Sequence, residues 1–99
     1  MELKDIQHLI IRREYDYSNH VRERIEAGEF EEEDLERCIL TATRILKKER
    51  DEKNQAVDDM KYVIIGKDTF GNRFYTAGKI MKDLTGRFYY YITAHDADV

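Results

Sequence analysis

The apolar positions in the first half of the chain recur with the period of helices. Residues 2–13, 19–28 and 31–43 each carry an apolar stripe on one helix face. The YDYS stretch between the first two segments breaks the pattern and offers Asp16 or Ser18 as the cap of the second helix. Three helices are therefore predicted in this half. The stripes consist of Leu3, Ile6 and Ile10, then Val21 and Ile25, then Leu35, Cys38, Ile39 and Ala42.

The sequence of the second half of the chain predicts strands. Residues 60–66, 73–82 and 87–95 are rich in β-branched and aromatic residues, and turn signals separate them. Because short turns join them, consecutive strands must be antiparallel neighbours. Residues 43–50 fit either a further strand or an extension of the third helix, and we favour the strand. The order predicts an α+β fold in which N-terminal helices pack on a three- to four-stranded antiparallel meander sheet.

Composition limits the class of protein. The chain has 99 residues, one cysteine, and a 41% hydrophobic fraction that includes seven tyrosines. We therefore expect one folded domain over residues 1–99 rather than a disordered tail. No apolar run approaches the ~18 residues of a membrane span, and the N-terminus lacks a signal-peptide pattern. Cys38 is the single cysteine and cannot form an internal disulfide, so we expect a cytoplasmic protein. We also expect no membrane partner. Because Cys38 lies on an apolar helix stripe, we expect its thiol to be buried and inert.

Charge is unevenly divided along the chain. Residues 1–59 hold 11 Lys/Arg and 17 Asp/Glu, whereas residues 60–99 hold 6 and 4, for a net charge of −4. The sheet half is thus mildly basic and rich in tyrosine. Such a sheet can contact RNA by phosphate pairing and base stacking. The alternative is that these are ordinary solvated strand residues, because a balance of +2 is small for a nucleic-acid binder.

Two histidines are candidates for proton transfer. His20 and Arg24 lie four residues apart and share a helix face, where a histidine beside a cation can act as acid or base next to a phosphate. The alternative is a helix-surface histidine without a catalytic role. His95 ends the last strand. The spacing of His8, His20 and His95 matches no metal motif, so we expect no metal site and no cofactor.

Glycine and tyrosine positions in the strands carry structural predictions. Gly78 lies inside a strand and indicates a bulge or a close backbone approach. Tyr89 and Tyr91 share one face of the last strand and Tyr90 the other, so at least one of these faces is expected to be core.

Short motifs follow one another along the chain in a characteristic order. They contain Ser18, His20, Glu23 and Arg24, then Ile65, Gly66 and Gly71, then Ile92, Thr93, Ala94 and Asp98. Their order resembles the DUF4258 family of small bacterial proteins, which is grouped with the RelE/BrnT-like toxins. The resemblance covers nearly the whole chain. The sequence departs from the family at Gly28-Glu29, at Phe74-Tyr75 and at His95, where the family has Arg-Gly, a histidine-containing stretch and an aromatic residue.

The resemblance implies a RelE-like fold and a metal-independent endoribonuclease that cleaves mRNA, often on the ribosome, and is held in check by an antitoxin protein. Such cleavage needs a base, an acid and one or two cations. The base or acid would be His20, His95 or a tyrosine. The catalytic residues implied are His20, Arg24, Arg87 and His95, with RNA contacts from Arg73, Tyr75, Lys79 and Tyr89.

A second class of function remains open on the same scaffold. The chain would then be a non-catalytic protein-binding or dimerisation domain. Its interface would be built from Tyr89–Tyr91 and the sheet edge, and a homodimer is one form of it.

Overall fold

The structure is a computed structural model, and it describes residues 1–97. Asp98, which belongs to the last matched motif, lies outside the described residues. One short strand lies between the first two helices, and the remaining strands follow the third helix. The elements are α1 (Leu3–Ile11), β1 (Tyr15–Tyr17), α2 (Asn19–Glu26), α3 (Glu32–Thr41), β2 (Lys47–Arg50), β3 (Met60–Lys67), β4 (Arg73–Asp83) and β5 (Gly86–Asp96).

The three predicted helices are confirmed, and side chains define where they begin. Glu2 and Glu31 are the N-caps of α1 and α3, and each forms a reciprocal capping box with the aspartate three residues on. Ser18 caps α2, since its Oγ accepts a hydrogen bond from the Val21 N–H at 3.2 Å. These caps satisfy backbone donors that a helix start would otherwise leave unpaired.

The sheet differs from the expected three- to four-stranded antiparallel meander. Over residues 1–97 it has five strands in the order β1-β5-β4-β3-β2, and β1 runs parallel to β5. Residues 15–17 were expected to be only a break between helices, but they pair with residues 89–91. The preference for a strand within 43–50 is confirmed for Lys47–Arg50, which pairs antiparallel with β3. The fold is therefore α+β with a mixed, mostly antiparallel sheet.

The helices bury their apolar residues against one face of the sheet. Tyr62, Tyr89 and Tyr91 belong to the same buried cluster as the helix stripes, which confirms that Tyr89 and Tyr91 face the core. We call the other face the open face, because no helix within residues 1–97 packs its apolar stripe on it. Strand register and alternation assign to the open face Lys61, Val63 and Ile65 of β3, Arg73, Tyr75, Ala77 and Lys79 of β4, and Tyr90, Thr93 and His95 of β5.

Two glycines allow close contacts within the core. A Cβ on Gly66 would lie 1.9 Å from the Cys38 carbonyl oxygen, so glycine is required for α3 to lie against β3. A Cβ on Gly78 would lie 2.5 Å from the Tyr89 ring. The β4–β5 register also shifts between Ala77 and Gly78. Both predictions made for Gly78, a bulge and a close backbone approach, are therefore confirmed.

Candidate functional site

Helix α2 begins at the edge of β5, which brings its histidine beside the sheet. The Ser18 N–H donates to the Tyr91 carbonyl at 3.0 Å, and the Ser18 hydroxyl donates to the Ile92 carbonyl at 2.8 Å. One turn later, the Arg24 Nε donates to the His20 Nε2 at 3.3 Å. Because a guanidinium can only donate hydrogen bonds, the Nε2 atom of His20 must carry no proton when this bond forms. The predicted pairing of these two side chains on one helix face is therefore present.

His95 is held in one orientation on the open face. Its ring stacks on Tyr75, directly across the β4–β5 pair, with centroids 4.5 Å apart and 14° between the planes. Its Nδ1 lies 3.0 Å from the Asp96 carbonyl oxygen, which can only accept a hydrogen bond. The proton of the neutral ring is therefore on Nδ1, and Nε2 carries the lone pair.

A cleft of about 430 Å³ brings Arg24 and His95 together. Glu29, Phe30 and Asp96 complete its lining. Glu29 forms an ion pair with Arg24 at 3.0 Å, so the arginine is held between a carboxylate and an imidazole. Sequence reasoning singled out neither Glu29 as the arginine's partner nor Phe30 as part of the site. The sequence signal was weak, because both residues lie in the short connection between α2 and α3.

Arg87 does not join this group. It lies at the start of β5, eight residues before His95, which corresponds to roughly 26 Å along an extended strand. There it lines a different groove with Arg13, Glu14 and Asp83. The four residues expected to converge therefore divide, with His20, Arg24 and His95 at one end of the sheet and Arg87 at the other.

Two of the four residues expected to contact RNA are buried. Tyr89 has no exposed surface, because it is a core residue on the helix face. Lys79 is only 3% exposed, because its Nζ donates to Gln55 Oε1 at 2.8 Å and forms an ion pair with Asp51 at 3.4 Å. Neither side chain offers a surface to a nucleic acid. Tyr75 is half-buried and Arg73 is exposed, and both lie at the same end of the sheet as His95.

The buried ion pair closes the loop between β2 and β3. Burial acts to raise the pKa of Asp51, but backbone N–H donors of Ala56, Gln55 and Lys53 and the charge of Lys79 outweigh it and hold the pKa below its usual value. The carboxylate therefore stays charged, and it organises a loop that otherwise has few apolar residues. This is a structural role for Lys79 rather than a binding role.

Two further observations concern possible metal ligands and the lone thiol. Within residues 1–97, no three His, Cys, Asp or Glu side chains are grouped so that they could hold a metal ion. Cys38 is a fully buried residue of α3, and burial raises the pKa of its thiol to about 11. The expectation of a buried thiol is confirmed, and the thiol is far from a reactive thiolate at neutral pH.

Comparisons with known proteins add no relative. Searches of protein-family models, curated proteins and solved structures gave no match. None of the helices in the described part of the chain is long and apolar enough to cross a membrane.

Proposed function

We propose that this protein is a metal-independent endoribonuclease of the RelE-like kind, acting on mRNA with or without the ribosome and restrained by an antitoxin. The observation that carries the proposal is that Arg24 and His95 line one cleft at one end of the sheet, while His20 contacts Arg24. Histidines supply proton transfer near neutral pH, and an arginine supplies charge for a phosphate. A purely structural role needs no such grouping at the surface.

The reaction would use the chain's own groups in a fixed order. Arg24 moves from Glu29 and His20 to the scissile phosphate, which leaves the His20 Nε2 lone pair free. His20 then takes the proton of the RNA 2′-OH as that oxygen attacks phosphorus. Arg24 stabilises the charge that develops on the phosphorane. His95, protonated at Nε2, gives its proton to the leaving 5′ oxygen, and a 2′,3′-cyclic phosphate remains.

The open face would hold the RNA beside this site. Tyr75 stacks on one face of the His95 ring, and a single-stranded base can continue this stack on an outer ring face. Arg73 lies near Tyr75 on the same strand. Lys79 and Tyr89 are left out of this surface because both are buried. Arg87 is left out because of its distance along β5.

The alternative is a non-catalytic interaction domain with an interface of Tyr89–Tyr91 and the sheet edge, and it keeps the edge but loses two of its three tyrosines. Tyr89 and Tyr91 are fully buried, and the Tyr91 hydroxyl donates to the Leu35 carbonyl inside the core at 2.9 Å. Only Tyr90 of the three tyrosines is left to contact a partner. The endoribonuclease is therefore the better-supported proposal.

Controlled expression in a bacterial host tests it. The wild-type chain should arrest growth, and His20→Ala should abolish the arrest at an equal level of folded protein. Arg87→Ala is the matched control and should arrest growth as the wild type does, because Arg87 lies away from the site. Normal growth with wild-type protein, together with intact cellular mRNA, would contradict the proposal.

A further inference from the structure

An aromatic cleft opens between the start of α3 and the turn that joins β3 to β4. Phe30 and Phe74 meet edge-to-face in it, with ring centroids 5.1 Å apart. Phe70 stands at its wall with 86% of its surface exposed, and Ile25 contributes to the lining. The cleft encloses about 380 Å³. Because Phe70 shares one concavity with other apolar side chains, it is part of a patch rather than an isolated surface residue.

The turn that carries Phe70 is tied down by hydrogen bonds. The Asp68 side chain accepts from the backbone N–H groups of Phe70 and Asn72, both at 2.9 Å. The Thr69 N–H and hydroxyl both donate to Asp34 Oδ1, at 2.8 and 2.9 Å. Asp34 is itself buried, and its side chain is the partner of Glu31 in the capping box of α3. The backbone that carries the exposed ring is therefore held in place, so a partner would not need to order this turn on binding.

The charge around the cleft has one sign. Among the described residues 1–97, six that line the cleft are Asp or Glu, and none is Lys, Arg or His. Glu29 is paired with Arg24, which lies outside the lining. The carboxylates of Asp34 and Asp68 accept hydrogen bonds from uncharged groups, which leaves their charge in place. A concave apolar surface with such a rim favours a cationic occupant and disfavours RNA or an acidic peptide.

We propose that this aromatic–acidic cleft binds a cationic segment of a partner protein, with an apolar side chain between Phe70 and Phe30 and arginine or lysine on the carboxylates. An arginine can also stack on the exposed Phe70 ring. The chain's net charge of −4 opposes docking of a second copy there. Phe30, Glu29 and Asp96 also line the cleft of Arg24 and His95, so the bound segment would lie directly beside that site.

Fluorescence anisotropy with a labelled peptide tests the proposal. The probe is an eight-residue Gly/Arg/Leu peptide with four arginines, and the comparison peptide replaces every arginine by glutamate. The cationic peptide should bind saturably and the acidic one should not. Phe70→Ser should weaken binding at least fivefold. Leu84→Ser is the matched control, because Leu84 is fully exposed on the other hairpin turn, and it should leave binding unchanged.

A second pair of variants separates local charge from overall charge. Glu31→Gln removes a carboxylate of the cleft and keeps an oxygen to cap α3, and it should weaken binding about threefold. Glu23→Gln removes an equal charge from the exposed surface of α2 and should have no effect. Circular dichroism checks that each variant is folded.

The outcomes do not depend on RNA cleavage, because binding alone is measured. Equal binding of the two peptides, or equal effects of Phe70→Ser and Leu84→Ser, would overturn the proposal. Sedimentation of the protein alone tests the other occupant. Self-association that Phe70→Ser abolishes would assign the cleft to a second copy instead of a cationic partner.

Discussion

Tyr75 and His95 stack nearly parallel across the β4–β5 pair, with ring centroids 4.5 Å apart. The pair is half-buried on the open face, and His95 also lines the cleft that contains Arg24. The stack therefore links the sheet surface to the proposed site. It also fixes the ring plane of the histidine, which a proton-transfer group requires.

Removing the Tyr75 ring should release His95. In Tyr75→Ala the His95 ring protons should move downfield in the NMR spectrum, because they lose the shielding of the stacked ring. Tyr75→Phe keeps the ring and should leave those shifts nearly unchanged. The RNA cleavage rate should fall about fivefold in Tyr75→Ala, which corresponds to an aromatic contact of about 1 kcal/mol. Unchanged His95 shifts in Tyr75→Ala would show that the stack is not present in solution.

Two core tyrosines should respond oppositely to loss of their hydroxyls. Within residues 1–97 the buried Tyr89 hydroxyl has no hydrogen-bond partner, whereas the Tyr91 hydroxyl donates to the Leu35 carbonyl at 2.9 Å. Tyr89→Phe should therefore be neutral or stabilising, and Tyr91→Phe should cost about 1 kcal/mol. Urea denaturation measures both free energies of unfolding. A larger loss for Tyr89→Phe than for Tyr91→Phe would contradict this assignment.

The Asp51–Lys79 pair should make stability depend on pH. The pKa of Asp51 lies below its usual value in the folded chain, so its charged form contributes stability at neutral pH. That contribution is lost as pH falls below about 4, towards the pKa of the folded state. The difference in unfolding free energy between wild type and Asp51→Asn should therefore shrink from pH 6 towards pH 3.

Truncating one partner of the same pair tests its burial. Asp51→Ala leaves the buried Lys79 ammonium without a countercharge and should cost about 3–5 kcal/mol. Lys53→Ala is a control on the same loop, because its exposed side chain should contribute less than about 0.5 kcal/mol. Similar unfolding free energies for the two variants would mean that Lys79 is solvated rather than paired.

Gly66 should tolerate alanine much less well than Gly71 does. A methyl group at Gly66 would meet the Cys38 backbone oxygen at 1.9 Å, so α3 would have to shift, at a cost of about 3 kcal/mol. Gly71 has φ of +84° and no atom within 4 Å of the added Cβ. There alanine suffers only backbone strain, of about 1–2 kcal/mol. Thermal unfolding of the two variants should rank them in that order.

Most of the fold follows from local periodicity in the sequence. The stripes of α1 and α3 and the aromatic strands β3 to β5 are long enough for the period to be read, and their bounds differ from the prediction by only a few residues. β1 was missed because Tyr15–Tyr17 is three residues long and pairs with a strand more than 70 residues away. Three residues carry no period, and a parallel pairing over that separation leaves no local signal.

The site was predictable only in part, for similar reasons. His20 and Arg24 are one helical turn apart, so their contact was local and readable. The burial of Lys79 depends on Asp51, which lies 28 residues away in a polar loop. No sequence pattern indicates that these two residues pair. The separation of Arg87 from His95 could have been recognised, since the predicted strand 87–95 already placed them at opposite ends.

Cleavage of a defined RNA in vitro tests the central claim most directly. Purified wild-type chain, with mRNA and ribosomes in the magnesium buffer that ribosomes need, should produce fragments that end in a 2′,3′-cyclic phosphate. His20→Ala should lower the cleavage rate by at least a hundredfold, a usual magnitude for loss of a general base. Arg87→Ala should stay within about twofold of wild type. Intact RNA with the wild-type chain, or equal losses for His20→Ala and Arg87→Ala, would contradict the account.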